Sequence, residues 1–358
     1  MNQFRKDRLV LSKSILIKVS FLIMFVISNA NADIIIKAVG DIMPGSLTPK
    51  EILPGDEDIK LAEEIKVYLQ NADIVFGNLE GAFVTESIEP KKCSEASREA
   101  ARCYEFGIPE SFASLLKKMN FNVLSIDNNH SADYGEEGYV FTQELLNDLN
   151  IKYTPKGGYT SVKVKNKDII IVPFGFTHNS HHIANVKHAG AIIKNLSRKY
   201  PVIIVSFHGG AEGDKAEHVK DETEVFYSEN RGNLIKLSHA LIDAGADLIL
   251  GHGPHVLRAL ELYKNKLIAY SLGNFFTYGQ FNLRGPRGIG VILKVKINEE
   301  NGNFIVGEII PTVQIKWGIP AYDKSCQSVY KIKQLTLEDF PGTRISIRKN
   351  GLIDKLLD

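Results

Sequence analysis

Runs of Ile and Val that stop abruptly at Gly, Asn, Asp, Glu or His recur along this chain. Residues 33–39 (DIIIKAV) run into Gly40 and Asp41, residues 73–76 (DIVF) into Gly77, Asn78, Leu79 and Glu80, and residues 122–126 (NVLSI) into Asp127, Asn128, Asn129 and His130. Further on, residues 202–207 (VIIVSF) precede His208, residues 247–250 (DLIL) precede Gly251-His252-Gly253-Pro254-His255, and residues 267–272 (LIAYSL) precede Gly273 and Asn274. Short continuous β-branched runs of this kind predict strands buried on both faces.

Helical spacing fills the gaps between them. Phe112, Leu115, Leu116 and Met119 fall at i, i+3, i+4 and i+7, Phe141, Leu145 and Leu149 at i, i+4 and i+8, and Leu234, Leu237 and Leu241 repeat the stripe. Asn150 and Gly245 stand where two of these helices should stop. Alternating strands and helices predict an α/β fold whose sheet is covered on both faces. Ligands of such sheets sit beyond the carboxyl ends of the strands, and that is where the ionisable residues of this chain gather.

Three regions depart from the alternation. Residues 84–106 are polar, carry Cys93, Cys103, Arg98 and Arg102, and read as an insertion near the mouth of the site with room for one short helix. Residues 288–316 read as a hairpin turning at Glu300 to Asn303. The tail, residues 323–358, is weakly patterned and predicts no function. At the other end, Arg5, Lys6, Arg8, Lys13 and Lys18 precede or punctuate an apolar run from Phe21 to Ile27, followed by small residues up to Ala32. This is the layout of a signal peptide over residues 1–32, cleaved after Ala32, with an uncleaved anchor starting near Leu11 as the alternative. Either form predicts an exported protein, periplasmic or on the extracytoplasmic face of the membrane.

Composition adds exclusions. Removing the first 32 residues takes five of the 43 Lys and Arg and one of the 42 Asp and Glu, for a net charge of −3. That balance, without a long basic run, gives no reason to expect nucleic acid as a partner. The three Cys include no CxxC, so a thiolate zinc site is excluded, whereas export would permit a disulfide pinning the stretch between Cys93 and Cys103.

Carboxylates, imidazoles and a carboxamide without thiolate suit a borderline-to-hard divalent metal such as Mn, Fe or Zn. The densest cluster is residues 251–255, where glycines allow a sharp turn and two His three apart can reach neighbouring metal positions. Taken in order, GDIM at 40–43, GNLE at 77–80, NNH at 128–130, His208, GHGPH at 251–255 and YSLGNF at 270–275 resemble the CapA-like poly-γ-glutamate capsule-biosynthesis family. That family is a branch of the calcineurin-like metallophosphoesterases.

The resemblance implies a four-layer αββα sandwich over residues 33–322 with one or two divalent ions at its rim. It implies metal ligation by Asp41, by Asn78 and Glu80 at the bridging position, and by Asn129, His208, His252 and His255. His130 is implied as the catalytic group that contacts substrate or donates a proton. The implied partners are an anionic polymer such as poly-γ-glutamate or its precursor, and a membrane-bound polymer synthase. Arg98, Arg102, Arg284 and Arg287 are candidates for holding an anionic chain through carboxylate contacts, and His178 is a candidate substrate contact by its place near a strand end. Asn274, in the YSLGNF match, is a candidate for substrate or, ahead of that, for hydrogen-bonding the metal-binding loops. Two departures from the superfamily pattern matter. Met43 stands where a second metal-binding His is expected, and Asn78 stands where a bridging Asp is expected. They leave two functions open: a metal-dependent hydrolase-like enzyme, or a non-catalytic accessory of the synthase. A general metallophosphoesterase is a third.

Overall fold

The computed structural model describes residues 33–100 and 103–356. The signal segment expected over residues 1–32, and Arg102 in the insertion, lie outside the described residues.

The predicted strands form, and they sort into two sheets. In the first, the strand Ile34–Met43 lies parallel to Ile74–Leu79, which in turn is parallel to Val123–Ser125, with Lys152–Thr154 at that edge. On its other side Ile34–Met43 runs antiparallel to Ile289–Ile297, the first arm of the expected hairpin, whose second arm is Phe304–Ile315. The second sheet places Val202–His208 between Lys167–Phe174 and Leu248–His252, all parallel, with Lys266–Ala269 next to Leu248–His252.

Side-chain alternation explains how the sheets stack. Ile36, Ala38, Ile74 and Phe76 of the first sheet and Ile171, Ile204, Leu248 and Leu250 of the second share one buried cluster between them. Their neighbours in sequence face outward. Val75 and Leu124 pack under the helices Ser111–Lys118 and Gly135–Asp148, whereas Ile203, Val205 and Ile249 pack under Val186–Leu196 and Leu234–Ala244. The result is helix, sheet, sheet, helix: the αββα sandwich. Gly245 ends the last of these helices in the left-handed conformation, at φ 114°, as its position predicts.

Two expectations need correction. The run 267–272 is a strand only over Lys266–Ala269, because the chain then crosses to the first sheet, where Asn274–Thr277 pairs with Asp41–Met43. The segment after Asp323 is built into the fold rather than trailing from it. It forms the helix Gln327–Asp339 and the strands Ile345–Ile347 and Leu352–Lys355, the latter pairing with Phe304–Ile315. Strands of three and four residues give too short an alternation to read from sequence. Among the described residues no helix is long and apolar enough to cross a membrane.

Candidate metal centre

Strand ends aim the polar side chains into the gap between the sheets. In Ile74–Leu79 the period of two that turns Ile74 and Phe76 inward also turns Asn78 inward, and Glu80 follows on the same face. Across the gap, Ile204, Ser206 and His208 share the inner face of their strand, and His252 sits beside His208 in register. Asp41 reaches this face by a different device. Ala38 is inward and Val39 outward, and a bulge between Ala38 and Asp41 resets the register so that Ile42 is again outward. Gly40 makes the bulge possible, since a Cβ there would lie 1.9 Å from the carbonyl oxygen of Gly273, the group that accepts the Asp41 amide. Similarly, a Cβ on Gly251 would meet the Tyr270 backbone at 2.4 Å.

Asp41, Glu80 and His255 offer ligand atoms that all lie within 4.8 Å of one another, and all three are buried. His255 holds the left-handed conformation at φ 59°, which turns its ring back over the strand ends. Its Nδ1 is 3.0 Å from Asp41 Oδ2 and 3.1 Å from Asn274 Oδ1, and its Nε2 is 3.7 Å from Glu80 Oε1. Glu80 Oε1 is also 3.8 Å from His208 Nε2. Four buried atoms here have no hydrogen-bond partner: both Glu80 oxygens, His208 Nε2 and Asn129 Oδ1. Leaving such groups unpaired costs on the order of 1–3 kcal/mol each. Keeping Glu80 and His208 unpaired while they stand 3.8 Å apart fits a cation as their missing partner, and the oxygen and imidazole donors suit Mn, Fe or Zn.

Burial dominates the electrostatics. It drives the Glu80 carboxyl well above the ordinary carboxylate range and keeps His208 and His252 low, so both imidazoles are neutral, as ligands must be. Burial opposes charge on His255 too, but without an ion Glu80, Asp41 and Glu212 outweigh it and lift that imidazole to about 10, so a cation ligated there would take the place of its proton. Asp41 is also disfavoured by burial, yet the His255 hydrogen bond holds its carboxyl below the usual range.

The remaining expected residues divide by what they touch. Asn78 is fully engaged as a strut. Its amide nitrogen donates to Asp41 Oδ1 at 2.9 Å and lies 3.2 Å from His208 Nδ1, while its oxygen accepts from Asn128. His252 Nε2 donates to the Val39 carbonyl at 3.0 Å, so Nδ1 is the atom it could offer an ion. Met43 is fully buried in the apolar cluster under the first sheet and contributes no donor. His130 lines the cavity and holds Asp133 Oδ2 through Nδ1 at 2.6 Å, which leaves Nε2 as the ring nitrogen that this contact does not use.

A cavity of about 710 Å³ opens from Asn129, His130 and His255, bordered by Lys92, Arg231, Arg287 and aromatic side chains. Part of its wall is the insertion, which has the expected short helix, Glu95–Glu99, and a Cys93–Cys103 disulfide. Three of the expected substrate contacts do not reach this space. Arg98 pairs with Glu105 at 2.8 Å and props the insertion from behind. His178 is exposed on a loop away from the cavity lining. Asn274 is wholly buried and holds His255 and the Arg287 carbonyl, so it positions the site without facing solvent. Arg287 does border the cavity, paired with Asp214 at 2.9 Å.

Sequence reasoning missed several participants. Asn128 ties Asn78 to the Leu79 carbonyl, and Asp133 and Lys92 brace His130. Arg231, only 2% exposed, lies over the Phe176 ring at 3.9 Å and pairs with Glu212. Asn128 and Asp133 were findable as polar neighbours of residues already singled out, and Glu212 lies four positions after His208. Nothing local marks Lys92 or Arg231.

An αββα sandwich with carboxylates, imidazoles and carboxamides converging at parallel strand ends defines the class. Residues 35–278 match the model of the bacterial capsule synthesis protein family PGA_cap, and the chain belongs to that family. It is 28% identical over 354 residues to the capsule biosynthesis protein CapA of Bacillus anthracis, covering 91% of this chain and 78% of that protein. It is also 28% identical over 256 residues to the PGA biosynthesis protein CapA of Bacillus subtilis (strain 168), covering 66% of this chain and 61% of the relative. Among solved structures, a hypothetical protein from Thermus thermophilus aligns with a TM-score of 0.44 and 14% identity, over 78% of this chain and 98% of that one.

Proposed function

We propose that this chain is an exported capsule-biosynthesis protein whose metal-dependent, hydrolase-like site acts on an anionic polymer such as poly-γ-glutamate or its precursor. The observation that carries the reading is the set of three unpartnered buried atoms, both Glu80 oxygens and His208 Nε2, beside the Asp41 and His255 pair. Asp41, Glu80 and His255 would hold one divalent ion, and Asn129, His208 and His252 a second. A divalent ion so held lowers the pKa of bound water and polarises an electrophilic carbonyl or phosphoryl group. His130, oriented by Asp133 and Lys92, stands at the cavity wall where it can give a proton to a leaving atom. Lys92 and Arg287 are the cations at the opening placed to receive carboxylates of an anionic chain. The Cys93–Cys103 disulfide supports an oxidising, extracytoplasmic location.

The test is metal analysis of the purified full chain together with a chain-length assay on γ-linked polyglutamate. Stoichiometric metal is expected, and the double variant His208→Ala/His252→Ala should lower the metal content and abolish shortening. Undiminished activity in that variant would sink the reading.

A second reading has its own support. Met43 offers no donor and Asn78 is a bonded carboxamide where a bridging carboxylate would stand, which favours a non-catalytic accessory of a membrane-bound polymer synthase. In that case the same double variant still restores capsule to a deletion strain.

A further inference from the structure

We propose that Glu212 is a further ligand of the cation held by Asp41, Glu80 and His255, supplying from the loop after His208 the donor that Met43 does not. The inference rests on the metal reading above and extends it to a residue outside the motifs.

The geometry is built rather than incidental. Glu212 Oε1 is anchored by Arg231 at 3.0 Å, while Oε2 lies 3.8 Å from His255 Nε2, on the same ring atom that stands 3.7 Å from Glu80 Oε1. Glu80 is fully buried, with both oxygens unpartnered. The backbone that carries Glu212 is fixed to the His252–His255 turn at two points, because Gly209 donates to the His252 carbonyl at 2.9 Å and Gly213 to the Pro254 carbonyl at 3.0 Å. Between them the Ala211 amide is held by Glu224 Oε2 at 2.8 Å, and Arg258 clamps both Glu224 and the Ala211 carbonyl. A carboxylate on a loop this constrained cannot drift from His255 as a solvated surface group would.

Charge points the same way. Three carboxyl groups face one imidazole, and all three can ionise together only if more positive charge joins them. Arg231 cannot fill that need at the centre of the group, since its guanidinium lies over Phe176 and also pairs with Glu229. Through Oε2, Glu212 would add an oxygen donor to those of Asp41 and Glu80 for a hard cation bound beside His255.

Mn(II) titration of the metal-stripped full chain, followed by electron paramagnetic resonance, tests this directly. Glu212→Gln should weaken Mn(II) binding by about 10-fold or more, with the apo melting temperature unchanged. Glu229→Gln, which removes the other carboxylate on Arg231, should leave the affinity alone, and Glu212→Asp should recover part of the loss. Wild-type affinity in Glu212→Gln, with binding abolished in Glu80→Gln, overturns the role of Glu212 and leaves the metal reading standing. Equal losses in Glu212→Gln and Glu229→Gln also overturn it, since general charge then explains both. Absence of Mn(II) binding in the wild type overturns the metal reading itself.

Discussion

The two halves of the strand-end cluster are built from different chemistry. On one side Asp41, Glu80 and Glu212 surround His255, and the imidazole is held charged by its neighbours. On the other, Asn129, His208 and His252 offer neutral donors, with Asn78 as their strut, and burial keeps both imidazoles uncharged. Glu80 Oε1 lies within 4 Å of a ring nitrogen in each half. The difference teaches that the halves need different things from a ligand. The acidic half would bind a cation by exchanging the protons of Glu80 and His255 for it, whereas the neutral half would bind through dipoles and lone pairs that have already lost their water.

Glu80→Gln should break both halves at once, and it is the largest effect expected. An amide keeps the shape but removes the shared charge, so Mn(II) affinity should fall by more than about 100-fold, read by calorimetric titration. Retained binding would show that the halves do not depend on a common carboxylate.

His208→Ala sharpens the contrast, because it strips the neutral half while leaving Asp41, Glu80 and His255 in place. The metal content should drop without vanishing, and the affinity that remains should lie within about 10-fold of wild type. His255→Ala should do the reverse and abolish the tighter binding. Equal losses in the two variants, measured by metal analysis after dialysis, would dissolve the distinction between the halves.

The same contrast runs through what the sequence made legible. Asp41, Glu80, His208 and His252 end β-branched runs, and strand alternation carries them to one face, so their convergence followed from pattern and motif together. The bulge at Gly40 that re-aims Asp41 was not readable as a bulge, since it depends on contact with Gly273 more than 200 residues away. Asn274 was open between substrate and the metal-binding loops, and it holds His255 in one of those loops, buried there by the crossing between sheets. Arg98 was expected at an anionic chain and is engaged elsewhere: a cation in a polar insertion looks available for ligand, but Glu105, seven positions on, claims it.

The insertion lies beside the His130 end of the neutral half, and its disulfide offers a milder perturbation. Cys93 and Cys103 bracket a short loop whose flanks carry Lys92 and Tyr104 to the cavity. Replacing both by Ser should lower global stability by about 2–3 kcal/mol, as chain entropy predicts for a loop of this size. Activity should fall further than Mn(II) affinity, since Lys92 braces His130 and not the acidic half. Urea melts and Mn(II) titration of the same variant separate the two effects.

A fourth carboxyl group tests whether negative charge alone makes the acidic half special. Asp127 closes the strand next to Asn129 but turns away from the centre, accepting a hydrogen bond from Ser180 while its other oxygen is buried without a partner. Burial raises its carboxyl to about 6, with Ser180 and Lys156 pulling only partly the other way. A raised folded-state value means that the native protein holds this proton more tightly than the unfolded chain does. Its contribution to stability is therefore complete below about pH 4 and is lost as pH rises to about 6, a change of about 3 kcal/mol. Asp127→Asn should flatten that part of the stability profile, measured by urea unfolding of the metal-stripped chain from pH 4 to pH 7. It should leave Mn(II) affinity at pH 7 within a few-fold of wild type, because no atom of the Asp41 group faces it. A large loss of affinity instead would mean that the acidic half extends further around the rim, and that charge count rather than convergence on His255 defines it.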